Sequence, residues 1–285
     1  MTAIAAKQRS ALLTALRNSM ARDEFFAGLY ILGCVNALGL RVIQSVGQLG
    51  WADAFLATFQ VSGIVWIACF VGVSLVLRNK SDQIRSTDFV FGAGFVALIA
   101  VPIGGVIWGA VTALSLYILL FANAHSSRRR GAIILLATAV PMFWSPFFFR
   151  FFANFILELD ASLVGWLLGT ARAGNMVRFA DDSGYLVIFP SCSSLAAVSL
   201  AFLCWVLISQ LVRHRWTPQD AIWCFLACAS VIAVNVARLS VMAWSPAHYE
   251  ALHNPLGETL VNLIILAATV GFCLLGVRRE LFSRA

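Results

Sequence analysis

Charge is scarce in this chain. Only 12% of its 285 residues are Asp, Glu, Lys or Arg, against 61% hydrophobic, where a soluble domain carries about a quarter charged residues. With a mean hydropathy of +0.87, a water-soluble protein is excluded and a polytopic membrane protein is expected. Basic residues are in excess, for a net charge of +7, but they are spread over several segments and make no single basic face, which argues against nucleic acid as a partner. The sequence also lacks an internal repeat, a low-complexity tract and a soluble domain. Cys224 and Cys228 have the i, i+4 spacing of one helix face but neither histidine nor carboxylate beside them, so they do not make a metal site. No metal or cofactor is implied. Finally, no small-x-small cleavage site follows the N-terminal segment, and Asp23 and Glu24 stand directly before the first apolar run. Residues 1–24 therefore read as a cytoplasmic amphipathic segment, with Leu12, Leu16 and Met20 on one face, and not as a signal peptide.

What is present is a succession of apolar runs. By the criterion of roughly 20 residues per crossing, spans are expected at about 25–42, 55–77, 132–149, 192–211, 221–243 and 257–277. Residues 89–122 are too long for one crossing, and the proline and glycines of VPIGG at 101–105 divide them into two. Gly105 and Gly109 then offer a small-residue face for close packing. The expectation is a single all-α membrane domain over residues 1–285 with about eight transmembrane helices. Lysine and arginine accumulate in cytoplasmic loops, and this arrangement, with both termini inside, leaves only Arg41, Arg150, Arg172, Arg178 and Arg238 of the 20 basic residues on the outer side.

One sizeable loop, 150–191, falls outside the cytoplasm between the fifth and sixth spans, and loops of this length are uncommon unless functional. FILELDASLVGWLLG puts Phe155, Leu159, Leu163 and Trp166 on one stripe, with Glu158 and Asp160 flanking it, as in an amphipathic helix lying in the membrane interface. After Gly174, two β-prone runs surround Asp181-Asp182-Ser183-Gly184 and read as a hairpin. Pro190 ends it. Ser191 is then placed to cap the sixth span, leaving Cys192 in the first helical turn.

Cys192 stands apart from the other cysteines. Cys34, Cys69, Cys204, Cys224, Cys228 and Cys273 all fall inside apolar spans, where a free thiol behaves as a small hydrophobe. Cys192 alone is expected at the external mouth, with no partner there for an intrachain disulfide. A lone thiol also packs, so its position leaves the choice between packing and reaction open. Arg238 lies about 17 residues into the seventh span, near its external edge, with Asn235 three residues earlier on the same face. An intramembrane arginine faces a partner or a cavity, or snorkels to the headgroups. His253, in the short loop before the last span, precedes Asn254-Pro255, a helix start of N-cap and first-turn proline. His248 competes with it in the same loop, while His125 and His214 fall on the cytoplasmic side. Imidazole titrates near neutrality and suits proton transfer. Thiol, guanidinium and imidazole converging on one membrane face make a set for acyl transfer: nucleophile, oxyanion holder and proton donor to the leaving group.

In this order of parts the chain resembles the exosortase/archaeosortase family of membrane cysteine transpeptidases. The parts are FILELDASLVGWLLG, MVRFADDSGYLVIF, SCSSL with Cys192 and Ser193, NVAR with Asn235 and Arg238, and HNPLG with His253 and Gly257. The resemblance covers residues 150–277, with the catalytic helices at 192–277, and the earlier spans only in general character. It implies catalytic Cys192, Arg238 and His253, supported by Asn235, Ser193 and Gly257, and favours His253 over His248. It also implies a bacterial cytoplasmic membrane and protein substrates with a C-terminal sorting signal like PEP-CTERM: a short motif, a transmembrane helix and a basic tail. Where the family has Cys-Ser-Gly this chain has Cys192-Ser193-Ser194, which implies a divergent subfamily. The competing reading from another class is a non-enzymatic transporter or export-complex subunit with Arg238 lining an anion path. A membrane acyltransferase or hydrolase using the same thiol is a further alternative.

Overall fold

Helix formation starts where acidic residues meet the first apolar run. The computed structural model describes residues 20–78, 83–122, 126–214 and 216–278. There α1 (Arg22–Leu49) opens with Asp23 and Glu24 in its first turn, where carboxylates suit the positive end of the helix dipole. Glu24 Oε2 accepts the Ala21 N–H at 3.1 Å. The expected amphipathic segment before Met20 lies outside the described residues, as does His125. Tertiary contacts group into two units, one ending at Ala139 and the other starting at Val140.

The first unit contains α1, α2 (Trp51–Leu56), a 3-10 turn (Thr58–Gln60), α3 (Gly63–Val76), α4 (Ser86–Ile99), α5 (Gly104–Phe121) and α6 (Ser127–Ala139). Paired charges are buried in it. Arg22 forks onto Asp88, Nε to Oδ2 at 2.7 Å and a terminal nitrogen to Oδ1 at 2.8 Å, Tyr117 donates to the same carboxylate at 2.8 Å, and Arg128 meets Asp23 at 2.7 Å. Burial of such ions is tolerable only with this degree of pairing. Close helix packing occurs where α3 crosses α6. A Cβ on Gly131 would collide with the carbonyl oxygen of Gly72, and one on Gly72 would lie 2.7 Å from Leu135 Cγ. The close approach expected of Gly105 and Gly109 is not made at Gly109, where a Cβ would meet open space.

The second unit begins with a π-helical turn (Val140–Trp144) and continues through α7 (Ser145–Leu168), β1 (Arg172–Ala173), β2 (Met176–Arg178), β3 (Tyr185–Val187), a 3-10 turn (Pro190–Cys192), α8 (Ser194–Leu211), α9 (Pro218–Met242), α10 (Pro246–His253) and α11 (Pro255–Gly276). The expected interfacial helix at 155–169 is not a separate element. It is the second half of α7, which passes through a local kink at Phe152 (φ −117°, ψ 18°) without ending. Its stripe of Phe155, Leu159 and Trp166 is exposed, while Leu157, Ala161, Val164 and Asp160 turn inward. Where two strands were expected there are three, paired antiparallel in the order β1-β2-β3, with Val177 opposite Leu186. At the tip between β2 and β3, Asp181 accepts the Ser183 hydroxyl at 2.5 Å and its N–H at 3.0 Å. These bonds hold its carboxyl below the usual range.

Among the described residues, six helical stretches are long and apolar enough to cross a membrane, as in a multi-pass membrane protein. The VPIGG break falls between α4 and α5 as expected. However, α3 and α4 have 14 residues each, about 21 Å at 1.5 Å per residue, short of a hydrocarbon core of about 30 Å. The run expected at 55–77 is shortened because Thr58, Phe59 and Gln60 take positive φ of 49°, 55° and 56°, a conformation that stops a right-handed helix.

Candidate active site

Three helices of the second unit present their ends to one another. α8 and α9 are joined by a connection of only a few residues, which favours antiparallel neighbours, and α11 packs on both. The start of α8, the end of α9 and the start of α11 thereby share one end of the bundle. The small sheet attaches there, since Ala180 N–H donates to the Ala243 carbonyl at 3.0 Å. Val177, Phe179, Leu186 and Ile188 from the sheet segment join Leu157, Ala161 and Val164 of α7 and Val236, Leu239 and Met242 of α9 in one apolar cluster. Cys192 is part of this cluster and is 9% exposed.

Cys192 is not in the first turn of α8. It closes the 3-10 turn that precedes the helix, and Ser193, not Ser191, is the N-cap, its Oγ accepting the Leu195 N–H at 3.4 Å. Pro190 sets this geometry: proline suits the first position of a helical turn, and the turn then closes with Cys192 N–H to Phe189 O at 2.9 Å and Ser193 N–H to Pro190 O at 3.3 Å. The next amide, Ser194 N–H, donates to Asp160 Oδ2 at 3.1 Å. The four amides from Cys192 to Leu195 are thus engaged.

Asn235 and Arg238, one turn apart on α9, act in different directions. Asn235, 4% exposed, donates to the Cys192 carbonyl at 2.9 Å and to Ser194 Oγ at 3.0 Å. Arg238 points its guanidinium toward α11, with a terminal nitrogen 3.8 Å from Glu258 Oε1. Its Nε is buried and has no hydrogen-bond partner, an orphan donor of the kind that calls for an explanation.

His253 is the last residue of α10 and is stacked on Tyr249, ring centroids 4.9 Å apart. Asn254 caps α11 as expected, accepting the Gly257 N–H at 2.8 Å, with Pro255 in the first turn. Gly257 permits the tight junction between α10 and α11, because a Cβ there would stand 2.7–2.8 Å from backbone atoms of Ala251 and Leu252. This junction leaves His253 Nδ1 3.7 Å from the same Glu258 oxygen that faces Arg238. His248 is employed otherwise, its Nδ1 2.8 Å from the Ser245 Oγ that caps α10.

The expected residues are therefore linked in two groups. Asn235 holds the Cys192 turn, and Glu258 gathers Arg238 and His253. The Cys192 sulfur itself makes no hydrogen bond to the Arg238 guanidinium or the His253 imidazole; its polar neighbour is Ser191 Oγ at 3.9 Å. Two participants escaped sequence reasoning. Asp160, in sequence only a flank of an apolar stripe, is 4% exposed and bonds Ser194 twice, the second bond to Oγ at 2.8 Å. Glu258 follows Gly257 directly and could have been noticed as a first-turn carboxylate facing the histidine one turn back. Ser194 supplies the hydroxyl that Asp160 and Asn235 share. No family model, curated protein or solved structure matches this chain.

Proposed function

We propose that this chain is an eight-span cysteine transpeptidase or protease of the exosortase/archaeosortase kind, in the bacterial cytoplasmic membrane with both termini inside. It would act at its extracytoplasmic face on membrane-anchored proteins bearing a C-terminal sorting signal. α3 and α4 serve as the two short spans, and the sheet covers the site on the outer side. What most supports this reading is the state of Arg238: its Nε is a buried donor without a partner, one helical turn from the residue that grips Cys192.

The chemistry then runs as follows. His253 accepts the thiol proton, and the Cys192 sulfur attacks the carbonyl carbon of the scissile amide. The carbonyl electron pair moves onto oxygen, where Arg238 donates to the oxyanion. Collapse breaks the C–N bond, His253 returns its proton to the leaving amine, and a thioester joins substrate to Cys192. An incoming amine gives transpeptidation and water gives hydrolysis, either one regenerating the thiol. Glu258 beside Nδ1 orients the imidazole so that Nε2 faces the reaction. In the resting protein thiol and imidazole share no hydrogen bond, and catalytic contacts of this type tighten when substrate is seated. No step calls for a metal.

The test is co-expression of a protein carrying a motif, transmembrane helix and basic tail from the same genome with wild-type chain, Cys192→Ala and Cys192→Ser. Loss of the tail is expected with wild type alone. Undiminished cleavage with Cys192→Ala would remove the nucleophile and the reading with it.

A further inference from the structure

Asp160 is out of place in an apolar helix. It sits within α7 at 4% exposure, and its two hydrogen bonds both go to Ser194, from N–H to Oδ2 at 3.1 Å and from Oγ to Oδ1 at 2.8 Å. Burying a carboxylate away from any cation is costly. Here the positive end of α8 and two donors offset that cost.

Capping alone does not explain the pairing: Ser193 takes the Leu195 N–H and Asp160 the Ser194 N–H, but Asp160 makes a second bond, to the Ser194 hydroxyl. What Asp160 does alone is orient the Ser194 hydroxyl. With its hydrogen directed at Asp160, Ser194 Oγ presents lone pairs to Asn235 Nδ2 at 3.0 Å. Asn235 in turn donates to the Cys192 carbonyl at 2.9 Å. A carboxylate on α7, a hydroxyl on α8 and an amide on α9 thus form one hydrogen-bonded chain, in which Asn235 donates to both sides and one end rests on the backbone of the thiol-bearing residue.

We propose that Asp160 is a positioning residue for Cys192, acting through Ser194 and Asn235, with Ser194 as the middle member of this relay. The proposal rests on Cys192 being the nucleophile. A glycine at 194 would keep the N–H bond to Oδ2 but remove both Oγ contacts. Asp160 and Ser194 are therefore a matched pair, and replacing either releases the 3-10 turn that seats the sulfur.

Two measurements on the full-length protein in detergent test it. One is the rate at which a maleimide alkylates Cys192, located by peptide mass spectrometry. The other is kcat and KM for cleavage of the signal-bearing substrate. Misplacement by about 1 Å can cost about 100-fold in rate, so Asp160→Ala is expected to lower kcat by about 30- to 100-fold with KM held within about twofold. Cys192 alkylation should quicken at least about fivefold as the buried thiol is released. Asp160→Asn keeps an acceptor for only one of the two Ser194 donors and should fall between wild type and alanine in both kcat and alkylation rate. If Asp160→Ala does not accumulate, Ser194→Ala is measured in its place, with the same expectations. Wild-type alkylation and kcat in the alanine variant would overturn the proposal, as would an asparagine variant no better than alanine. Alkylation needs no substrate, so the two ideas fail separately. Cleavage surviving Cys192→Ala ends the transpeptidase reading, whereas a thiol indifferent to Asp160 ends the positioning role.

Discussion

Replacing Arg238 by lysine separates charge from donor geometry at the site. Lysine keeps the cation but loses Nε–H and the planar fork. Folding should be nearly unaffected: the contact with Glu258 is 3.8 Å long and its carboxylate is 48% exposed, and ion pairs open to solvent contribute about 0–1 kcal/mol. Because Arg238 Nε has no partner in the resting protein, its removal breaks no existing bond. The transition state is affected differently. Loss of one oxyanion donor costs about 100- to 1,000-fold in kcat, about 2.7–4 kcal/mol. The amides of residues 192 to 195 are engaged, so none of these four takes over, and a loss within that range is expected. The assay is single-turnover cleavage of a signal-bearing substrate, with the thioester trapped by denaturation and thermal stability measured on the same preparation. An Arg238→Lys protein with wild-type melting behaviour and kcat within about threefold of wild type would refute the assignment of the oxyanion to this guanidinium.

Other expectations follow from the same geometry. Gly257→Ala forces a methyl to within 2.7–2.8 Å of backbone atoms of Ala251 and Leu252, and should destabilise by about 1–3 kcal/mol and shift His253, read as a lowered melting temperature and reduced cleavage. Asn235→Ala leaves the Cys192 carbonyl without its side-chain donor, a loss of about 1–3 kcal/mol; an unchanged melting temperature would contradict it. In the first unit, Gly131→Ala should weaken the crossing of α3 and α6, where its methyl meets the Gly72 carbonyl, and lower thermal stability. Arg22→Met strands the buried Asp88 carboxylate, and breaking such a pair costs about 3–5 kcal/mol; failure to accumulate in membranes is expected, with partial recovery by adding Asp88→Asn.

Membrane residence, helical character, the break at VPIGG and the N-cap at Asn254 were all legible in sequence because each depends on local composition or on residues a few positions apart. In the packed structure Asn235 of NVAR reaches the turn of SCSSL. Two local readings failed for local reasons: the 3-10 turn begun by Pro190 displaced the cap from Ser191 to Ser193, and left-handed residues at 58–60 shortened α3. The role of Asp160 was hidden for a different reason. Here the apolar stripe of Phe155, Leu159 and Trp166 turns outward and Asp160 turns in, the reverse of a helix on a soluble protein, and spacing along one helix does not say which face is covered.

Hydropathy and residue order alone establish a chain that partitions into lipid as a series of helices, because transfer of apolar side chains from water is additive along the sequence. Only the packed structure could set Asp160 against Ser194, leave Arg238 Nε unpartnered, and bring Glu258 between guanidinium and imidazole. Hydrogen bonds are directional and act over about 3 Å, so which groups meet across helices far apart in sequence depends on crossing and register that composition does not encode.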